Sequence, residues 1–383
     1  MIWEELSSQL AELKQQDLLR QRKILDSGCA PHVKIGQRDL IAFCSNDYLS
    51  LASHPALKQA ICDAVQIWGV GSGGSHVVNG HTRLYDQLEN ELASFVGAQR
   101  ALFYSTGYMA NIGIVPTLVG REDAVFADRL NHASLIDAVQ LSHAEHRRYA
   151  HKDISHLEKL LAKSTARRKL ILSDAVFSMD GDIAPLPELL ALAERYDAWL
   201  VLDDAHGFGI LGKEGRGSLN HFNIAWNPRI IYMGTLGKAA GISGAFVAGN
   251  RLVIEWLMQR SRSYIFTTAS SPIIAAALLT SLKLIQESDD RRDHLKQLST
   301  FLHNELDHTK WQLLPSSTAI HPVIVGENEA VLKVSDALIK RHIWVPAIRP
   351  PTVPKGQARL RISLSAGHTI EDVKQLITAL KDI

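Results

Sequence analysis

From about residue 83 the chain alternates short apolar runs with stretches that place apolar residues at helical spacing. The runs are "ALFYSTG", "AVFAD", "KLILSD", "WLVLDD", "RIIYMG" and "GAFVAGN", with "HRRYA" as a more polar member. Most lack polar alternation, which suits strands buried on both faces. Between several of them stand amphipathic stretches such as "LPELLALAERY" and "TRLYDQLENELASFVG", whose Leu84, Leu88 and Leu92 share one face. This alternation predicts an α/β domain with a mostly parallel sheet. After about residue 285 a charged helix, "DDRRDHLKQLSTFLHNELD", leads to "AIHPVIVG", a further helix, two more strands and a final helix. That texture predicts a smaller α+β domain. Trp3, Leu6, Leu10 and Leu13 recur at helical spacing, so the N-terminus is expected to form an amphipathic helix that packs onto another surface. The expected division is an N-terminal helical segment over 1–45, a large α/β domain over 46–285 and a small α+β domain over 286–383.

Charge and cysteine usage narrow the class. The 41 lysines and arginines nearly cancel the 40 aspartates and glutamates, which gives no electrostatic reason to expect nucleic acid or an anionic membrane as partner. Cys29, Cys44 and Cys62 are odd in number and lack CxxC spacing, pointing to a reducing compartment with neither a disulfide framework nor a zinc site. No apolar h-region opens the chain, and "SPIIAAALLTSLKLI" is too short to span a bilayer. A cytoplasmic protein is expected. His143 and His146 could share a helix face, but no carboxylate or third ligand stands nearby, so no metal site is expected.

In open α/β sheets ligands bind outside the carboxyl ends of the strands, and the unusual residues of this chain collect there. "KLILSDAVFSMDGD" offers Ser178, Asp180 and Asp182, while "WLVLDDAHGFG" offers Asp203, Asp204 and His206. "IIYMGTLGK" ends with Thr235 and Lys238, amid Gly237, Gly241 and Gly244. "LFYSTGYMAN" supplies a glycine turn opening a helix near Tyr108, whose free N–H groups suit a phosphate. Singly, each has an ordinary reading as a turn hydroxyl, a cap or a structural histidine. "GVGSGGSHVVNG" at 69–80 follows a helix-like segment and lacks GxGxxG spacing, so it reads as a flexible loop and not a dinucleotide site. Taken together, an amine, an aspartate, a histidine and hydroxyls at strand ends match the needs of pyridoxal 5′-phosphate. That cofactor requires a lysine for its Schiff base and an acid for its ring nitrogen.

The ordered motifs "FCSNDYLSL", "GSGGS", "ALFYSTGYMAN", "DRLNHASLIDA", "VFSMDGD", "LDDAHGFGILGKEGRG", "TLGKAAGISGA" and "ARLRISLSAGHT" resemble those of the α-oxoamine synthases. The resemblance implies the type I (aspartate aminotransferase-like) fold of pyridoxal-phosphate enzymes and a homodimer with sites at its interface. It implies that Lys238 carries the cofactor, Asp203 meets the ring nitrogen, His206 with Ser178 bonds the phenolic oxygen, and His132 stacks on the ring. Gly107, Tyr108 and Thr235 would hold the phosphate, with Thr267 or Thr268 joining from a second subunit. Arg349 would take an amino-acid carboxylate, and Arg20, Asn46, His132 and Thr352 would touch substrate. "DDAHG" and "IRPPTVP" resemble the branch that condenses L-alanine with a pimeloyl thioester, on coenzyme A or a carrier protein. A branch using glycine or serine is the alternative. His76 after "GSGGS", where an arginine is frequent, and "KAAG" after the lysine depart from the wider pattern.

Overall fold

The computed structural model describes residues 2–307 and 309–383. The chain forms two compact units. One comprises Leu51–Ser178 and Ile183–Asp289; the other comprises the residues up to Ser50, Met179–Asp182 and Asp290–Ile383. The first 50 residues thus cluster with the C-terminal part, where the sequence suggested a separate segment over 1–45.

The larger unit is built on a seven-stranded sheet: β1 (Arg100–Tyr104), β2 (Ala124–Asp128), β3 (Glu145–Tyr149), β4 (Lys169–Asp174), β5 (Ala198–Asp203), β6 (Ile230–Thr235) and β7 (Ala245–Gly249). The order is β1-β7-β6-β5-β4-β2-β3. Neighbours from β6 to β3 run parallel, while β7 is antiparallel to both β6 and β1. Every residue of β2, β6 and β7 is buried, as their unbroken apolar runs require. The polar "HRRYA" run is explained by position: β3 is the edge strand, with its first two residues exposed and only Tyr149 buried.

Two helices begin on the carboxyl-end side of this sheet. Helix α1 (Gly107–Leu118) starts after β1, where the Thr106 side chain accepts the Met109 N–H as N-cap. Helix α2 (Ala133–Ser142) starts after β2, with His132 as its N-cap. It stops at His143, which takes a left-handed conformation (φ 58°), and His146 then lies on β3. The two histidines therefore share no helix face, because the chain turns between them. The segment read as a flexible loop contains a π-helical turn, His76–Gly80.

The smaller unit contains a four-stranded antiparallel sheet ordered Gln312–Leu313, Ile320–Gly326, Ala358–Ser363, Ala347–Ile348. A second sheet joins His32–Ile35, Arg38–Ala42 and Ile343–Trp344. Three short strands follow the helix Asn328–Lys340, against two expected. The helix Ile370–Lys381 opens with a capping box between Thr369 and Asp372. The N-terminal helix Ile2–Gln15 forms as its spacing predicts but buries none of its residues, and Trp3 is 80% exposed. Its expected packing partner is not provided by the described residues of this chain. Among those residues no helix is long and apolar enough to cross a membrane.

Candidate active site

The register of the parallel sheet sets Asp174 at the end of β4 beside Asp203 at the end of β5. Both carboxylates are buried. Burial, and then the neighbouring Asp203, push the Asp174 carboxyl well above the usual range. Asp174 Oδ2 accepts the backbone N–H of His132 (2.8 Å), which fixes the chain entering α2. Asp203 Oδ1 accepts the Ala205 N–H (3.0 Å), and its Oδ2 accepts Asn111 Nδ2 (2.7 Å). His206, three residues beyond β5, is also buried, and its Nε2 lies 2.8 Å from Lys238 Nζ.

Lys238 sits half-buried in the turn between β6 and β7. That turn is closed by backbone bonds: Leu236 N–H to Gly244 O (2.8 Å), Gly241 N–H to Lys238 O (2.8 Å) and Ile242 N–H to Leu236 O (3.1 Å). Its glycines are required by shape. Gly241 and Gly244 have φ of +70° and +102°, and a Cβ there would come within 2.6 Å of Ala52 N and of the Phe103 ring. The opening turn of α1 lies close to the same strand end. A Cβ added at Gly107 would stand 3.8 Å from Thr235 Oγ1, and one at Gly237 would stand 4.0 Å from it. Thr235 Oγ1 donates to Gly244 O (3.2 Å). Gly107, Tyr108, Thr235 and Gly237 therefore frame a small cradle lined by a hydroxyl and by the free N–H groups of a helix N-terminus. The Tyr108 hydroxyl donates to Asp137 on α2.

His132 Nδ1 accepts the Ser134 N–H (3.2 Å) and lies 2.7 Å from Ser134 Oγ. Desolvation is the chief cause that lowers its pKa, although the residue as a whole is exposed. Asp203 and Asp137 pull the other way, and Lys238 adds to the lowering. Ser178 is half-buried, four residues beyond β4. Thr267 and Thr268 follow the helical turn Arg262–Ile265 and precede Ala269, whose N–H donates to Gly74 O in the glycine-rich loop (2.9 Å).

The remaining expected residues belong to the smaller unit. Arg20, Arg349 and Thr352 line one cavity of about 230 Å³ together with Leu18, Gln21 and Pro350. Arg349 Nη1 donates to the Asp17 carbonyl. Partial burial, and then the charge of Arg20, lower the Arg349 pKa. Asn46 Oδ1 accepts from Tyr48 Oη (3.1 Å) and from Arg361 Nη1 (3.2 Å). Asp180, read as a strand-end candidate, is instead ion-paired with the buried Arg359 at 2.6 Å.

Several contributors escaped the sequence reading, Asp174 among them. Asn111 and Ser134 connect Asp203 to His132, and Arg361 is a buried guanidinium held by Asn46 and Ser363. Asn111 had a signal: it is a poor helix former within the apolar run "YMANIGIVPTLVG". Arg361 had one too, alternating with Leu360 and Ile362.

The sequence profile of the class I and II aminotransferases matches residues 38–380. An 8-amino-7-oxononanoate synthase of Herminiimonas arsenicoxydans is 61% identical over 385 residues, covering 100% of this chain and 99% of that protein. The crystal structure of 8-amino-7-oxononanoate synthase from Francisella tularensis is 35% identical, with a TM-score of 0.79 over 90% of this chain and 97% of that one. A serine palmitoyltransferase of S. paucimobilis with a bound PLP–myriocin aldimine is 29% identical, with a TM-score of 0.93 over 99% and 96%.

Proposed function

The chain belongs to the 8-amino-7-oxononanoate synthases, within the class I and II aminotransferase family, and on that premise we propose how its own residues carry the reaction. The enzyme condenses L-alanine with a pimeloyl thioester, releasing carbon dioxide and the free thiol and giving 8-amino-7-oxononanoate for biotin biosynthesis. The thioester is carried on coenzyme A or on a carrier protein. The observation that carries the site assignment is the 2.8 Å approach of Lys238 Nζ to His206 Nε2, at strand ends that also bear Asp203.

The residues present fit pyridoxal 5′-phosphate. A half-buried amine, a buried carboxylate and a buried imidazole stand at adjacent strand ends, and the absence of a Cβ at Gly107 keeps the cradle beside Thr235 open. Lys238 would hold its aldehyde, Asp203 its ring nitrogen, and His206 with Ser178 its phenolic oxygen. His132 would lie on the ring face. The N–H groups of Gly107 and Tyr108, with Thr235, would hold the phosphate. When bound, the cofactor supplies an aldehyde for the amino group of alanine and a ring that accepts the electron pair freed at the α-carbon.

Displaced from the aldehyde by the amino group of alanine, the free Lys238 Nζ would take the α-proton of alanine and later return a proton to the product carbon. Asp203, with both oxygens already bonded to Ala205 and Asn111, holds a fixed negative charge for a protonated ring nitrogen. Arg349 binds the alanine carboxylate through two N–H groups until it leaves as carbon dioxide. Arg20, Asn46 and Thr352 would contact substrate. The working unit is a cytoplasmic homodimer in which Thr267 or Thr268 of one protomer completes the phosphate site of the other.

Visible absorbance of the purified protein, titrated separately with L-alanine, glycine and L-serine, tests this reading. A saturable spectral change, strongest with L-alanine, is expected. Preference for glycine or serine would move the enzyme to another branch of the same chemistry. No visible band after addition of pyridoxal phosphate would remove Lys238 from its role.

A further inference from the structure

Asn111 lies in the second turn of α1, 1% exposed, where an apolar residue would pack without cost. Its amide nitrogen instead donates twice, to Asp203 Oδ2 (2.7 Å) and to Ser134 Oγ (2.9 Å). Its Oδ1 is buried without a hydrogen-bond partner. An orphan carbonyl of this kind is destabilising, so packing alone does not account for the residue. The amide orientation is forced as well. Turned over, Asn111 would aim its carbonyl oxygen at a carboxylate oxygen.

The backbone N–H of Ser134 donates to His132 Nδ1 (3.2 Å), which makes that nitrogen an acceptor. Ser134 Oγ, which accepts from Asn111, therefore directs its own proton at His132 Nδ1, 2.7 Å away. His132 Nδ1 thus accepts from two donors at the N-terminus of α2, where the helix dipole is positive. A proton on Nδ1 would face both donors and that dipole.

We propose that Asn111 and Ser134 are positioning residues that fix His132 as a neutral imidazole protonated on Nε2 and tie that tautomer to the orientation of the Asp203 carboxylate. The inference rests on the proposed function only for its consequence. Nε2–H becomes a donor suited to an oxygen of a bound reactant, a carboxylate or a thioester carbonyl. The charged groups that act on the His132 ring are Asp137 on α2, Asp203 at the end of β5 and Lys238 after β6, while Asp174 at the end of β4 accepts its backbone N–H. Desolvation and Lys238 oppose the two aspartates Asp203 and Asp137 in setting its protonation, so the two Nδ1 donors decide which nitrogen keeps the proton.

The test is long-range proton–nitrogen NMR of the holoenzyme labelled with imidazole ¹⁵N. The His132 signals are assigned by their loss in His132→Gln. From about pH 6 to about pH 8, the range in which an ordinary histidine titrates, His132 is expected to stay protonated on Nε2 alone. Ser134→Ala should convert it to a mixture of tautomers and lower kcat roughly five- to tenfold, the scale of one lost hydrogen bond, with KM for alanine held. Ser134→Thr, which keeps the hydroxyl, should restore both. A wild-type His132 protonated on Nδ1, or an imidazolium at neutral pH, overturns the proposal even if no variant folds. So does an unchanged tautomer in Ser134→Ala. The tautomer is read without turnover, so a wrong amino-acid substrate would leave this result standing, and a failed relay would leave the substrate titration standing.

Discussion

In the seven-stranded sheet, β2, β4 and β5 carry charge only in their last residues, Asp128, Asp174 and Asp203, apart from Lys169 where β4 begins. In the four-stranded sheet of the smaller unit, the strand Ala358–Ser363 buries two guanidiniums in mid-strand, Arg359 at 1% and Arg361 at 4% exposure. The contrast follows from topology. A parallel strand covered on both faces has no polar side, so charge survives only where the strand ends and backbone N–H groups become available. An antiparallel strand keeps two distinct faces. Leu360 and Ile362 occupy one, and Arg359, Arg361 and Ser363 the other, where each guanidinium meets fixed acceptors. Charge at the strand ends of the large sheet is available for chemistry. Arg359, which bonds Asp180 Oδ1 (2.6 Å) and Met179 O (3.0 Å), holds the fold.

Substitutions at the two kinds of position should therefore separate activity from stability. Lys238→Ala should reduce turnover by roughly 10³-fold or more, since on the proposed function it removes both the attachment point and the proton carrier, with the denaturation midpoint little changed. Substantial activity in a steady-state assay would break the comparison at its strongest point. Arg359→Ala should do the reverse. It leaves Asp180 without its buried partner and should cost about 3–5 kcal/mol in chemical denaturation, while any folded fraction keeps its cofactor spectrum.

The adjacent aspartates sharpen the contrast within one sheet. Asp203→Asn should retain the cofactor yet lose about 10²-fold or more in turnover, because in the proposed role a neutral amide would no longer hold the ring nitrogen protonated. Asp204 points elsewhere, accepting Ser218 N–H and the Tyr232 hydroxyl, both at 2.7 Å. Burial raises its carboxyl from the ordinary 3.8 to about 7. The folded chain thus binds this proton more tightly than the unfolded chain. The resulting stability is full below about pH 4 and is lost as pH rises through about 7. Asp204→Asn should remove that decline from the pH dependence of unfolding and change turnover by less than about threefold. The smallest effect is expected at Gly107→Ala. The added methyl meets only ordinary contacts at 3.7–3.9 Å, so the melting temperature should hold. Cofactor affinity, measured by equilibrium dialysis, should weaken by roughly three- to tenfold because the methyl intrudes on the cradle.

Much of this site was legible because its signals are local. Apolar runs of strand length, interrupted by helical periods, prescribe a parallel sheet, and such a sheet collects its functional groups at carboxyl ends. Lys238, Asp203, Asp204 and His206 could be placed from their distance to the ends of those runs. The glycines around Lys238 could be noticed, though the close approaches that require them could not. Asp180 stood equally near a strand end and proved to be Arg359's partner, since that choice depends on a residue 179 positions away. The N-terminal helix shows the same limit. Its apolar stripe is written in the sequence, yet the stripe secures no burial among the described residues.

The sequence by itself determined the alternation of strands and helices, the identity of the strand-end residues and the apolar faces, because these depend on periods of two and 3.6 residues and on backbone preferences. Tertiary structure alone decided the company those residues keep. Asn111 meets Asp203 across 92 positions and Arg361 meets Asn46 across 315. Which nitrogen of His132 carries its proton depends on such contacts. No local period encodes them, since they exist only when separate segments are brought to one place by the packing of the core.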